Sequence, residues 1–206
     1  PYSSLGNLFI SPLIVISNRL SLPKETRAGG LAAAMFSALS ENGGIWFGWS
    51  GRAVDSPGPP HQQTEGEITY VTVDLTRAEY DSYYNGFANR TLWPLLHYRL
   101  DLVDYRRDTY RVYQRVNRGF ARTLAPMIQD DDLVWVHDYH MIPLAALLRE
   151  EGVTARIGFF LHTPLPPPDL ISALPGHRAL MDSLTDYDLV GFQTTTDRQA
   201  FTDYMR

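Results

Sequence analysis

The chain has 206 residues, and 18 Lys and Arg against 23 Asp and Glu leave a formal net charge of −5. That balance argues against a nucleic-acid partner, because neutralising phosphates needs clustered excess Lys and Arg. The absence of cysteine excludes disulfides, thiolate nucleophiles and Cys-based zinc sites together. No apolar run approaches the roughly 20 residues that span a bilayer, and the first eleven residues lack the pattern of a secretory signal. A cytoplasmic protein with no membrane partner is the expectation.

The first predicted element is a strand at Leu13-Ile14-Val15-Ile16-Ser17, apolar without interruption and rich in β-branched residues, as in a strand covered on both faces. Residues 1–12 read as an extension ahead of it. After a polar loop and Gly29-Gly30, the run Leu31 to Leu39 is built of strong helix formers. Gly43-Gly44 ends that helix, and Ile45-Trp46-Phe47 starts a second strand. Residues 52–66 are rich in Pro and Gly without periodicity, which reads as a surface loop. Glu67 to Asp74 alternates as a strand does, and Thr76 with Glu79 has the spacing of a capping box.

Between Tyr105 and Met127 the apolar residues Tyr110, Val112, Tyr113, Val116, Phe120 and Leu124 keep close to a helical period, with Pro126 as its stop. Leu133-Val134-Trp135-Val136 reads as a fully buried strand. Pro143 to Glu151 reads as a helix with proline in its first turn, closed by Gly152. Strands follow at Ile157 to Leu161 and Tyr187 to Phe192. Alternation at this spacing predicts one α/β domain over 13–206, a mainly parallel sheet with helices on both faces.

In such sheets ligands bind outside the carboxyl ends of the strands. Four polar or aromatic clusters fall there: Ser17-Asn18-Arg19, Trp46 to Gly51, His137-Asp138-Tyr139-His140 and His162-Thr163-Pro164. Arg19 beside a helix that opens on Gly29-Gly30 suits a phosphate, which would meet free N–H groups and a bidentate cation. An exposed arginine and a plain glycine turn is the simpler alternative. The sequence has neither a Walker loop nor G-x-G-x-x-G.

His137 and His140 with Asp138 could ligate a metal, but a strand-end turn rarely aims both rings at one ion. Asp138 accepting from sugar hydroxyls, with the imidazoles donating, is the better use. The simpler alternative is two histidines buried and satisfied by backbone, and for His137 that alternative is the expectation. Trp46, Trp49, Tyr83, Tyr84 and Trp93 are candidates for the apolar face of a sugar, although such rings also build cores. Arg99, Asp101, Asp104, Arg106 and Arg107 read as a solvated charged face. A glycosidase would need two carboxyls roughly 5 to 9.5 Å apart, and Asp138 has no evident partner. Gly48-Trp49-Ser50-Gly51 does not have the spacing of a nucleophile elbow.

Taken in order, these motifs resemble the trehalose-6-phosphate synthase family of retaining glycosyltransferases. The matching residues are Val15 to Arg19, Ala28 to Leu31, Trp46 to Gly51, Tyr83-Tyr84-Asn85, Leu92-Trp93-Pro94, His97-Tyr98-Arg99, Val116-Asn117, Trp135 to His140, Ile157 to His162 and Asp186 to Thr194. The resemblance implies a GT-B enzyme with two Rossmann-like domains facing a cleft, of which this chain is the N-terminal, acceptor-side half. The domain that supplies most donor contacts lies outside it, so this segment alone is expected to be inactive.

Carried over residue by residue, the resemblance implies that Arg19 binds the phosphate of glucose 6-phosphate. Trp49, Tyr84, Trp93 and Asp138 would hold its ring and orient the attacking hydroxyl. Gly29 and Gly30 would approach the diphosphate of UDP-glucose, and His162 would bond a hydroxyl of the donor sugar. Asp138 and His162 are the residues nearest the chemistry. Neither a metal nor a cofactor is implied, because transfer with retention uses front-face attack assisted by the departing phosphate oxygen. Sister enzymes take glycerol 3-phosphate or cyclitol phosphates as acceptors. A non-catalytic sugar-phosphate-binding subunit, and assembly into a homo-oligomer, also stand as expectations.

Overall fold

Strand β1 (Leu13–Arg19) lies near the middle of a seven-stranded sheet, its residues alternating between two apolar layers. The computed structural model describes residues 12–20 and 30–206; Gly29 and residues 1–11 of the expected extension lie outside the described residues. The chain continues through α1 (Gly30–Asn42), β2 (Gly44–Val54), β3 (His61–Glu65) and β4 (Ile68–Thr76). A continuous helical stretch over 77–96 follows. It comprises one turn of α2 (Arg77–Glu79), a π-helix over Tyr80–Leu92, and α3 (Trp93–Leu96). Then come α4 (Arg107–Leu124), β5 (Leu133–His137), α5 (Leu144–Glu150), β6 (Arg156–Leu161), α6 (Pro168–Ile171), α7 (His177–Asp182), β7 (Leu189–Phe192) and α8 (Thr195–Tyr204).

The strand order is β3-β4-β2-β1-β5-β6-β7, parallel throughout except for the β3–β4 pair. Without the antiparallel edge strand β3, this is the doubly wound order of a Rossmann fold. Ile14, Ile16, Phe47 and Val71 face a large core filled from the π-helix, α4, α5 and α7. Leu13, Val15, Trp46 and Tyr70 face the other way, onto Met35 and Leu39 of α1. Helices therefore cover both faces, as the alternating pattern predicted. The Thr76 capping box forms as expected, with Glu79 N–H on Thr76 Oγ1 at 3.1 Å and Thr76 N–H on Glu79 Oε2 at 3.0 Å.

Two expectations are corrected. The segment 52–66 is not all loop: β2 runs on to Val54, and His61–Glu65 forms an edge strand returning at Gly66, whose φ is +59°. Both faces of that edge are mostly open to water, so its polar sequence carries no alternation to read. The strand at Leu133 is not buried throughout either. Leu133 is 46% exposed at the strand's entry and Trp135 is only partly covered.

Candidate active site

The chain leaves β1 towards β2 on one side of the sheet and leaves β5 towards β6 on the other. The carboxyl ends of these two neighbours therefore flank the topological switch point, where such folds open a crevice. Ile16 pairs with Val136, which puts Arg19 at the end of β1 and Asp138 just beyond β5 on the same edge. On the next strand His137 pairs with Phe160, so His162 joins the same rim. Gly30, the first residue of α1, follows β1 on this edge.

Asp138 is the most constrained of these residues. Its backbone sits at φ +75°, ψ 166°, a region essentially confined to glycine and costly for any other residue by about 1–3 kcal/mol. What holds it there is a set of backbone bonds. Its N–H donates to Phe160 O at 2.9 Å, and its carbonyl accepts from Met141 N–H at 3.1 Å. Its carboxylate Oδ1 accepts from the N–H groups of Tyr139 at 3.0 Å and His162 at 3.3 Å. Burial raises the carboxyl above its ordinary value; those N–H donors and the nearby His162 and His97 rings pull the other way. Strain concentrated on a half-buried carboxylate at a strand end is the pattern of a working group.

Burial disfavours the charged form of three histidines here. Burial lowers His137 to about 3, with His162 adding to the shift, and lowers His140 to about 3. Burial also lowers His162, against the pull of Asp138. His137 Nδ1 lies 3.0 Å from His162 Nε2. His137 Nε2 and both ring nitrogens of His140 are buried without a hydrogen-bond partner among the described residues. The expectation that backbone groups satisfy His137 is thereby corrected, and the same alternative for His140 does not hold either. The His140 ring instead stacks on Tyr84, with centroids 5.7 Å apart and planes at 14°.

The aromatic candidates separate by burial. Trp46 and Tyr83 are core residues, which corrects the reading of both as sugar platforms. Trp46 donates its indole N–H to Ser17 Oγ at 3.0 Å, and Tyr83 donates its hydroxyl to Asn18 Oδ1 at 2.9 Å. Trp49 is also buried. Its indole N–H meets Arg52 O at 2.8 Å, and its ring backs Tyr80 and Tyr84 at 5.4 and 5.5 Å. Tyr84 is thus held between Trp49 and His140, partly open. Trp93 is 47% exposed, with its ring 3.9 Å from that of His97 and 5.9 Å from that of Tyr139.

Sequence reasoning passed over His97 and Tyr139 as site residues. His97 lies one helical turn after Trp93, with its Nδ1 2.7 Å from Trp93 O, and that spacing of four was the available signal. Tyr139 donates its hydroxyl to Asn89 Oδ1 at 3.0 Å, tying the strand end to the π-helix. The arginines and aspartates at 99–108 form the exposed pairs Arg99–Asp101 and Arg106–Asp108, a solvated face as expected.

The model of glycosyltransferase family 20 matches residues 16–206. A trehalose-6-phosphate synthase of Klebsiella pneumoniae is 50% identical over 196 residues, covering 94% of this chain and 41% of that protein. The E. coli trehalose-6-phosphate structure bound with UDP-2-fluoro glucose superposes with a TM-score of 0.90 at 48% identity, over 95% of this chain and 42% of that one. An alpha,alpha-trehalose-phosphate synthase (UDP-forming) from Burkholderia xenovorans in complex with glucose-6-phosphate gives a TM-score of 0.88 at 48% identity, over 94% and 43%. This chain therefore spans about two fifths of the length of such relatives. A strained aspartate, a strand-end arginine and two histidine rings in contact on one rim thus sit in a chain that belongs to glycosyltransferase family 20.

Proposed function

We propose that the polypeptide containing this chain transfers glucose from UDP-glucose to glucose 6-phosphate with retention of configuration, forming trehalose 6-phosphate and UDP. The observation that carries the reading is the placement of Arg19 and Asp138 on either side of one switch point. In this reading a phosphorylated monosaccharide bridges the two, with its phosphate on the guanidinium and its hydroxyls on the carboxylate. Relatives of about half-identical sequence carry the synthase name, and structures of such proteins hold the two ligand types.

In this reading Arg19 binds the acceptor phosphate by charge-assisted bonds. Tyr84, backed by Trp49, and Trp93 border the sugar, and Asp138 accepts from its hydroxyls. The acceptor's anomeric oxygen attacks the donor's C1 from the face that the diphosphate leaves. The C1–O bond to the diphosphate breaks, and the hydroxyl proton passes to the departing phosphate oxygen. Alignment of two bound sugars does most of the work, and N–H groups at Gly29 and Gly30, with the positive end of α1, favour the developing charge. No metal or cofactor is called on. His162 bonds a hydroxyl of the donor sugar. Residues 13–206 serve as the acceptor-side Rossmann domain, and a donor domain in the remainder of the polypeptide closes the cleft.

The test is incubation of the intact polypeptide with labelled UDP-glucose and glucose 6-phosphate. Labelled trehalose 6-phosphate is the expected product. Its absence rejects the assignment, and transfer to glycerol 3-phosphate in its place reassigns the acceptor.

A further inference from the structure

The last residue of β5, His137, is fully buried, and its side chain makes one polar contact that matters for the rim: Nδ1 lies 3.0 Å from Nε2 of His162, with the rings 5.3 Å apart and 30° from parallel. A nitrogen–nitrogen contact of that length holds one proton, so one ring donates and the other accepts. Two arrangements satisfy this for neutral rings. If His162 donates from Nε2, then His137 carries its own proton on Nε2, and that N–H is buried with no acceptor among the described residues. If His137 donates from Nδ1, the buried atom left over is a bare lone pair. An orphaned buried N–H is the rarer and costlier of the two.

We propose that His137 is a positioning residue that fixes the tautomer of His162, holding its proton on Nδ1 so that the ring offers an N–H donor to a bound hydroxyl. The donor's orientation is held from two directions. His137 occupies the inner nitrogen of the ring, while the His162 backbone N–H is anchored to the Asp138 carboxylate at 3.3 Å. The tautomer assignment stands on the geometry alone; that the hydroxyl belongs to the donor sugar rests on the function proposed above. His137 has no direct part in the chemistry, and its effect on a substrate passes through His162.

Long-range proton–nitrogen correlation on the intact polypeptide, with ¹⁵N in its imidazole rings, reads the tautomers directly. Each peak is assigned by its loss in His137→Asn, His137→Leu or His162→Gln. The expected result is a protonated Nδ1 and a bare Nε2 on His162. In His137→Leu, which cannot donate, nothing fixes the proton on Nδ1 and His162 populates both tautomers. In His137→Asn, whose amide N–H stands where Nδ1 was, His162 keeps the original form. Kinetics then separate positioning from general damage. His137→Leu should raise the KM for UDP-glucose about five- to tenfold, the size of one neutral hydrogen bond, and leave that for glucose 6-phosphate unchanged. His137→Asn should restore the wild-type value. A proton on His162 Nε2 in the wild-type protein overturns the tautomer assignment, and an unaltered donor KM in His137→Leu overturns the positioning role. If the polypeptide transfers no glucose at all, the proposed activity fails, while the resonances still decide the tautomer.

Discussion

The guanidinium of Arg19 rests on the α-carbon of Gly51. A Cβ at that glycine would stand 2.7 Å from Nε, 2.9 Å from Cζ and 3.1 Å from Nη2 of the arginine. Gly51 has φ +85°, so it supplies both the open space and a backbone turn that side chains resist. The strand-end arginine of β1 is thus placed by a glycine on β2.

Arg19→Ala is expected to weaken glucose 6-phosphate binding by about 1.5–3 kcal/mol, the range for a hydrogen bond to a charged group. Isothermal calorimetry on the intact polypeptide measures it, and unchanged affinity would mean that the phosphate binds elsewhere.

Gly51→Ala should lower the same affinity by displacing the guanidinium and lower stability by about 1–3 kcal/mol through its positive φ. The two effects come apart in the double mutant: on an Arg19→Ala background the loss of affinity should vanish and the loss of stability persist. A second drop in affinity there would rule out Arg19 as the route.

Asp138→Asn keeps an oxygen for the Tyr139 and His162 N–H groups but removes a half-buried charge. Acceptor binding and turnover should fall while the melting temperature holds or rises, as at sites that trade stability for activity. A large fall in melting temperature would reveal a mainly structural aspartate.

Acid should loosen the fold from an unusually high pH. Burial holds His137 and His140 at about 3, against 6.5 for a free imidazole. Below pH 6.5 the unfolded chain binds more protons than the folded one. The stability present above that value is therefore lost as pH falls towards 3, by up to about 1.4 kcal/mol per unit for each ring. Asp138, whose folded value is raised, offsets part of this loss. Urea midpoints compared near pH 7.5 and 5.5 check it, with equal midpoints as the contrary result.

Asp197 ties α8 to the loop beyond His162. Its Oδ2 accepts from Thr194 N–H at 3.1 Å as the return arm of a capping box, and its Oδ1 accepts from the buried Leu165 N–H at 2.9 Å. Asp197→Ala removes that return arm, leaves the Thr194 cap itself in place and orphans the Leu165 N–H, a cost of about 1–3 kcal/mol. Chemical denaturation reads this, and a loss under about 0.5 kcal/mol, typical of a surface change, would contradict it.

The parallel core was legible because Leu13 to Ser17 and Ile157 to Leu161 are apolar runs of strand length between turn signals, and the Thr76 cap declares itself by spacing. The rim was legible because polar clusters ended those runs. What stayed hidden depends on three-dimensional neighbours. β3 is polar on both faces, so it forms only because β4 supplies a hydrogen-bonding edge. The π-helix at Tyr80–Leu92 has no pattern of period 3.6 to find. Trp49 and Trp93 look alike as letters, yet one is 4% exposed and the other 47%. The His137–His162 contact joins residues 25 positions apart and leaves no local trace.

The strand order has a kinetic corollary. β1 and β5, partners at the centre of the sheet, are separated by more than a hundred residues, whereas β3 with β4 and β5 with β6 are near neighbours in sequence. Closing so long a span is entropically expensive and slows folding. The pairing of Ile16 with Val136 is therefore expected to be a late event, and the two halves of the crevice come into being only when that seam closes.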